Sequence, residues 1–142
     1  MASDVAAVSD LVIFDTSIFI DHLRTARHQQ RIDSLTGLIR TSSVVLAELW
    51  RGAAKSAERE FLAALAKNHR ILTPTENNWL ESGQLLSAMN SKHGFSPEKL
   101  RDLHFDVLIA LTARSHGARL ITSNHHDFEL IRRHRKFHHE LC

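Results

Sequence analysis

Four carboxylic acids, Asp15, Glu48, Asp106 and Asp127, each stand where a short apolar run meets a helix-forming stretch. Asp15 closes the run in L-V-I-F-D-T-S-I-F-I-D, and Glu48 lies in T-S-S-V-V-L-A-E-L-W-R-G-A. Asp106 lies in L-H-F-D-V-L-I-A-L-T-A-R and Asp127 in R-L-I-T-S-N-H-H-D-F. A carboxylate buried alone among such neighbours is costly, so acids in these surroundings share something positive. A hard divalent cation meets that need, because it prefers oxygen ligands. Taken singly, each acid has a plainer role. Asp15 caps a helix, Glu48 pairs with an arginine, Asp106 forms a polar seam with Asp102, and Asp127 complements the positive end of a helix. Taken together, four coincidences on one sheet edge favour a shared site. Such a cluster suits Mg²⁺ or Mn²⁺, held partly through waters. The ion lowers the pKa of a bound water and neutralises charge on a phosphodiester. Ser17, Thr122 and Asn124 either position the waters or phosphate, or serve only as turn and cap residues.

The elements that must carry these acids are readable in outline. Residues 11–14 form a short continuous apolar run, the pattern of a central parallel strand. Thr16 or Ser17 caps a helix through about residue 24. Residues 29–38 read as a second short helix, 39–41 as a strand and 43–53 as a helix. Residues 57–68 form an amphipathic helix with Phe61, Leu62, Leu65 and Ala66 on one face. A strand over 70–73 ends at Pro74, and a helix over 77–93 stops at Gly94. Ser96, Pro97 and Glu98 open a helix that runs to residue 116. Residues 119–122 form a strand, 125–133 a short helix, and Phe137 begins a last edge strand. Strands alternating with helices predict an α/β fold, a three-layer α/β/α arrangement around a short, mostly parallel central sheet. Ligands in such folds gather beyond the carboxyl ends of the strands. Asp15 follows the first strand, and Asn124 and Asp127 follow the strand over 119–122. At about 100° per residue, Asp106 shares a helix face with Ile109, Ala110, Ala113 and Asp102, and Glu48 shares one with Val44, Val45 and Gly52.

The bulk numbers narrow the class. A chain of 142 residues fits one domain, here residues 11–142, with residues 1–10 read as a frayed, flexible start. No apolar run reaches membrane-spanning length and no basic segment precedes an apolar one, so the expectation is a soluble, cytoplasmic protein with no membrane partner. The single cysteine, Cys142, allows no intrachain disulfide. Net charge is only +2, so charge placement says more than the total. Arg132, Arg133, Arg135 and Lys136 cluster with His134, His138 and His139, either as a solvated tail or as a phosphate-facing patch. His134, His138 and Cys142 have i, i+4, i+8 spacing, which would bind zinc only on a helix that the local signals do not favour. His125 and His126 suit Mg²⁺ poorly and are expected to meet solvent or RNA at most. A haloacid-dehalogenase reading needs a second Asp where Ser17 stands, and a response-regulator receiver needs an acidic pair and a late lysine that the chain does not arrange.

The ordered set V-I-F-D-T-S-I-F-I-D, S-S-V-V-L-A-E-L-W-R-G-A, F-D-V-L-I-A-L-T-A-R-S-H-G-A-R-L-I-T-S-N and H-D-F resembles the PIN-domain proteins, most nearly the VapC-type toxin endoribonucleases of type II toxin–antitoxin systems. The resemblance covers about residues 11–128. It implies a PIN-like fold and a Mg²⁺- or Mn²⁺-dependent ribonuclease that cuts single-stranded regions of RNA. It also implies a homodimer and a cognate antitoxin. By that match Asp15, Glu48 and Asp106 are metal-site acids. Many PIN proteins carry an Asp where this chain has Asn124, and Asp127 would supply the missing charge. The alternative is a catalytically silent PIN-like module that grips RNA or a partner, although degenerate domains usually lose acids that this chain keeps. Ile18, Phe19, His22 and Leu23 lie beside Asp15, and Leu49 and Trp50 follow Glu48. Those that the core leaves exposed would form an apolar groove beside an acidic pocket, where the resemblance places an antitoxin segment.

Overall fold

β1 (Val12–Phe14) is buried along its whole length, with Val12 and Ile13 fully inaccessible and Phe14 at 1%. Side chains alternate across a strand, so burial of successive residues requires cover on both faces. The computed structural model supplies that cover and describes residues 11–26, 29–35, 38–137 and 139–141. The start read as flexible, residues 1–10, lies outside them.

The chain continues through α1 (Thr16–Thr25), α2 (Gln29–Leu35), β2 (Ile39–Ser42), α3 (Ser43–Gly52), α4 (Ser56–Asn68) and β3 (Ile71–Leu72). It finishes through α5 (Glu76–His93), α6 (Pro97–Ser115), β4 (Arg119–Thr122), α7 (His125–His134) and β5 (His139–Leu141). Among the described residues the five strands lie in the order β3-β2-β1-β4-β5, and every pairing is parallel. The fold is the α/β architecture read from the sequence, a parallel sheet flanked by helices. β1 sits at its centre, where the connections diverge to either side, and this is the crevice such sheets offer to ligands.

Helix ends explain most element boundaries. Ser96 accepts the Lys99 N–H at 3.1 Å, and Pro97 fills the first position of α6. Thr75 opens α5 one residue before the sequence pattern did. Its hydroxyl accepts from Asn78 N–H, and the Asn78 side chain accepts from Thr75 N–H, both at 3.0 Å. Gly94 ends that helix at φ 68°, a left-handed position that favours glycine. α1 departs from expectation. Its cap is Asp15, whose carboxylate accepts the Ile18 N–H at 3.4 Å, and Thr16 and Ser17 are its first two helical residues. α7 stops at His134 and a strand follows from His139, so the helical spacing that zinc binding by His134, His138 and Cys142 required is absent, and His138 and Cys142 lie outside the described residues.

The second half of α6 is covered all round, with Val107 through Ala113 buried without a break. The sequence pattern indicated one buried face. α6 is instead packed by α3, α5, α7 and β4 together, and Asp106 is the last residue before that enclosed stretch. Among the described residues, no helix is long and apolar enough to cross a membrane.

Candidate active site

Strand register builds the centre of the site. Phe14 is level with Ile121 across the β1–β4 pair, so the residues that follow them, Asp15 and Thr122, are neighbours at the carboxyl edge. Asp15 N–H donates to the Ile121 carbonyl at 3.0 Å, which extends the ladder past the strand. Asp15 is 3% exposed. Ser17 Oγ donates to its Oδ1 at 2.6 Å, and Thr122 Oγ1 donates to its Oδ2 at 2.7 Å. Ser17 and Thr122 are in turn fixed by backbone donors, Ser123 N–H to Ser17 Oγ at 3.1 Å and Asn124 N–H to Thr122 Oγ1 at 2.8 Å. Burial pushes the Asp15 carboxyl above its ordinary range, and the hydrogen bonds from Ser17 and Thr122 only partly oppose it.

Glu48 arrives on α3. Ser42 caps that helix, accepting from Val44 N–H at 3.1 Å and Val45 N–H at 3.3 Å. Val44, Val45, Leu46 and Leu49 anchor α3 in the core and leave Glu48 partly exposed at the crevice. Thr16 Oγ1 donates to Glu48 Oε1 at 2.7 Å, which ties the first turn of α1 to α3. The Glu48 pKa is also raised. Burial is the main cause, the Thr16 bond and Arg51 oppose it, and the charges of Asp15 and Asp102 add to it.

Asp106, on α6, shows the strongest perturbation of the acids. Its carboxyl is held well above the ordinary value, first by burial and then by the charges of Asp15, Glu48 and Asp127, with Lys99 opposing. The four acids read from the sequence therefore share one electrostatic neighbourhood. They are not equivalent within it. Asp127, in the first turn of α7, is 9% exposed. Its Oδ1 accepts from Lys99 Nζ at 2.7 Å and its Oδ2 accepts from Asn124 Nδ2 at 3.3 Å. It has a cation and an amide of its own, whereas Asp15 and Glu48 have hydroxyl partners.

The oxygen-only donor set, the raised pKa values and the surplus of negative charge fit a hard divalent ion. The acids stand somewhat apart. Among the described residues, no three His, Cys, Asp or Glu side chains form a ready coordination group.

Sequence reasoning did not pick out Lys99, and it took Thr16 only as a cap. Lys99 carried one usable signal. It precedes Asp106 by seven residues, two helical turns, and so lies on the same face of α6. The anticipated groove also changes composition. Ile18 and Phe19 are at 0% and 2% exposure and belong to the core, because that face of α1 packs on the sheet. His22 packs against Phe61, with ring centroids 5.7 Å apart. A groove of about 610 Å³ does open beside Glu48, walled by Ile20, Leu23, Leu49 and Leu62, with Lys55 and Glu58 at its rim. Trp50 is 44% exposed but stands outside that lining. His125 and His126 are exposed. Within the basic cluster, Arg132 pairs with Glu129 at 2.7 Å and Arg135 with Glu81 at 2.6 Å, while Arg133 and Lys136 are exposed.

The sequence model of one family, described as PIN domain, matches residues 12–133. No curated protein matches the chain significantly. Solved structures do. A chain of DNA-bound VapBC from Salmonella typhimurium is 25% identical with a TM-score of 0.67, over 92% of this chain and 97% of that one. A chain of VapBC2 from Rickettsia felis, bound to a DNA fragment from their promoter, is 21% identical with a TM-score of 0.70, over 93% and 98%. A chain of VapBC-1 from nontypeable Haemophilus influenzae is 21% identical with a TM-score of 0.67, over 92% and 96%. The two at 21% identity share the fold.

Proposed function

This chain belongs to the PIN domain family, and on that footing we propose that it is the toxin of a toxin–antitoxin pair, a metal-dependent endoribonuclease that hydrolyses phosphodiester bonds in single-stranded regions of RNA. The observation that carries the reading is the convergence of Asp15, Glu48 and Asp106 from three separate elements onto the carboxyl edge of the sheet, with each pKa raised by burial. Acids whose pKa values are raised together in a crevice point to a functional site.

Asp15, Glu48 and Asp106 would hold Mg²⁺ or Mn²⁺. When bound, such an ion supplies charge neutralisation at the phosphodiester and a more acidic water. The chain's own residues supply orientation. Ser17 and Thr122 fix the Asp15 carboxylate through one bond to each oxygen, and Thr16 fixes Glu48. Asn124 N–H holds Thr122, so Asn124 acts at one remove from Asp15. The decisive experiment is cleavage of single-stranded RNA by the purified chain. Mg²⁺ or Mn²⁺ supports it, EDTA stops it, and Ca²⁺ substitutes poorly because its looser coordination positions water less strictly. Cleavage that persists in EDTA sinks the metal reading. RNA binding without cleavage, with equal metal-induced thermal shifts in wild type and Asp15→Asn, marks a silent binding module instead.

The partners of the site belong to the same proposal. The structural relatives are VapBC complexes, and the groove beside Glu48 has the apolar walls and acidic end that suit an antitoxin segment with an aliphatic or aromatic anchor and an arginine. Ile20 is 37% exposed on that wall, so a charge there disturbs the fold little. Ile20→Asp is expected to weaken antitoxin binding by about tenfold or more at an unchanged unfolding midpoint. Trp50→Ala, outside the groove, is the comparison. Retained affinity in Ile20→Asp with lost affinity in Trp50→Ala would move the contact off the groove. Homodimer formation is part of the reading, and exposed Trp79 and Leu80 on α5 are its candidate contacts.

A further inference from the structure

Lys99 is placed against the preference of its own helix. It occupies the first turn of α6, directly after Pro97 and Glu98. That end of a helix carries partial positive charge and favours acids. A lysine there needs a strong partner, and Asp127 provides it at 2.7 Å from another helix. The carboxylate is enclosed, with 12% of its side-chain surface exposed, while the lysine side chain keeps 37%. The pair therefore has an inner acid and an outer cation. Lys99 also acts on Asp106.

Sites that hold two divalent ions keep them about 3.5–4 Å apart and share carboxylates between them. At this site, Asp15, Glu48 and Asp106 have no cation of their own in hydrogen-bond contact among the described residues, and Asp127 has one. An ammonium on Asp127 Oδ1 fills the acid's coordination and repels a dication from the same place.

Resting on the metal-dependent reading above, we propose that Lys99 is the resident second cation of this site. It takes Asp127 out of the ion-holding set, so the chain binds a single divalent ion on Asp15, Glu48 and Asp106.

Calorimetric titration of the full chain with Mn²⁺ alone tests this, with the unfolding midpoint followed for each variant. Wild type binds one Mn²⁺ per chain. Asp127→Asn also binds one, with affinity within about threefold of wild type, whereas Asp106→Asn loses about tenfold or more. Lys99→Met frees Asp127 and binds a second ion. Lys99→Arg keeps the single ion, and Lys99→Met combined with Asp127→Asn returns to one. A merely structural Lys99–Asp127 bridge would move the midpoint without changing the number of ions bound. Two ions on wild type overturn the proposal, as does a loss in Asp127→Asn equal to that in Asp106→Asn, or a folded Lys99→Met that still binds one. If Lys99→Met does not fold, wild type and Asp127→Asn decide. Absence of any Mn²⁺ on folded wild type removes the metal reading itself and this inference with it, whereas two ions remove the inference alone.

Discussion

Asp106→Asn lowers RNA cleavage by at least about a hundredfold, the upper end of the loss seen when even an outer partner of a metal ligand is removed, and it raises the unfolding midpoint of the metal-free protein. Both effects follow from one arrangement. Asp106 accepts no hydrogen bond from another described residue, so an isosteric amide breaks none. What the amide removes is a charge that faces Asp15, Glu48 and Asp127. Without an ion that charge destabilises the fold, and with an ion it is a ligand. Asp15→Asn also stops cleavage but is a less clean test. Its carboxylate accepts from Ser17, Thr122 and the Ile18 N–H, and disturbing such bonds costs about 1 kcal/mol each. The measurement is initial rate at matched metal concentration together with thermal unfolding in EDTA. Undiminished cleavage by Asp106→Asn sinks the proposed site, and a lowered metal-free midpoint contradicts the repulsion argument.

Local order was readable wherever a single physical cause sets it. β1 is a run of three apolar residues buried on both faces, and no helix of that length competes with it. α6 is bounded by a cap, a proline and a following glycine, and its ends fell within one residue. β3 shrank to Ile71–Leu72 because it is an edge strand paired on one side, with Ile71 44% exposed. The acids were legible because each interrupts apolar sequence at an element boundary. Their partners were not. Lys99 and Asp127 are 28 residues apart, and Thr16 and Glu48 are 32 apart. Such pairs depend on how two separate helices approach each other, which no local pattern records. The groove was half legible for a related reason. α1 carries Ile18 and Phe19 on one side and Ile20 farther round, with Leu23 between Phe19 and Ile20. A helix apolar on two sides does not reveal which one the sheet takes. The sheet took Ile18 and Phe19 and left Ile20 and Leu23 to wall the groove.

The stability of the metal-free protein is expected to fall as pH rises, and a divalent ion is expected to reverse the loss. Asp15, Glu48 and Asp106 all have folded-state pKa values above the ordinary 3.8 for Asp and 4.5 for Glu. The folded chain therefore holds these protons more tightly than the unfolded chain. Their contribution is fully present below the ordinary carboxylate range and is lost as pH rises through the raised values. Glu58 and Glu129, with lowered pKa values, and His134, likewise lowered, act in the opposite sense. The useful quantity is thus the midpoint of wild type minus that of Asp106→Asn, in which these distant groups cancel. In EDTA that difference becomes more negative from about pH 4 upward. With Mn²⁺ at a hundred times its dissociation constant, wild type gains about 2.7 kcal/mol, roughly 8–11 °C in a domain of this size. The gain grows with pH because the ion binds deprotonated ligands. Asp106→Asn gains far less at the same concentration. A difference that stays flat with pH in EDTA would mean that neither burial nor the neighbouring acids raise the Asp106 carboxyl. An equal metal-induced shift in both proteins would place the ion away from Asp106.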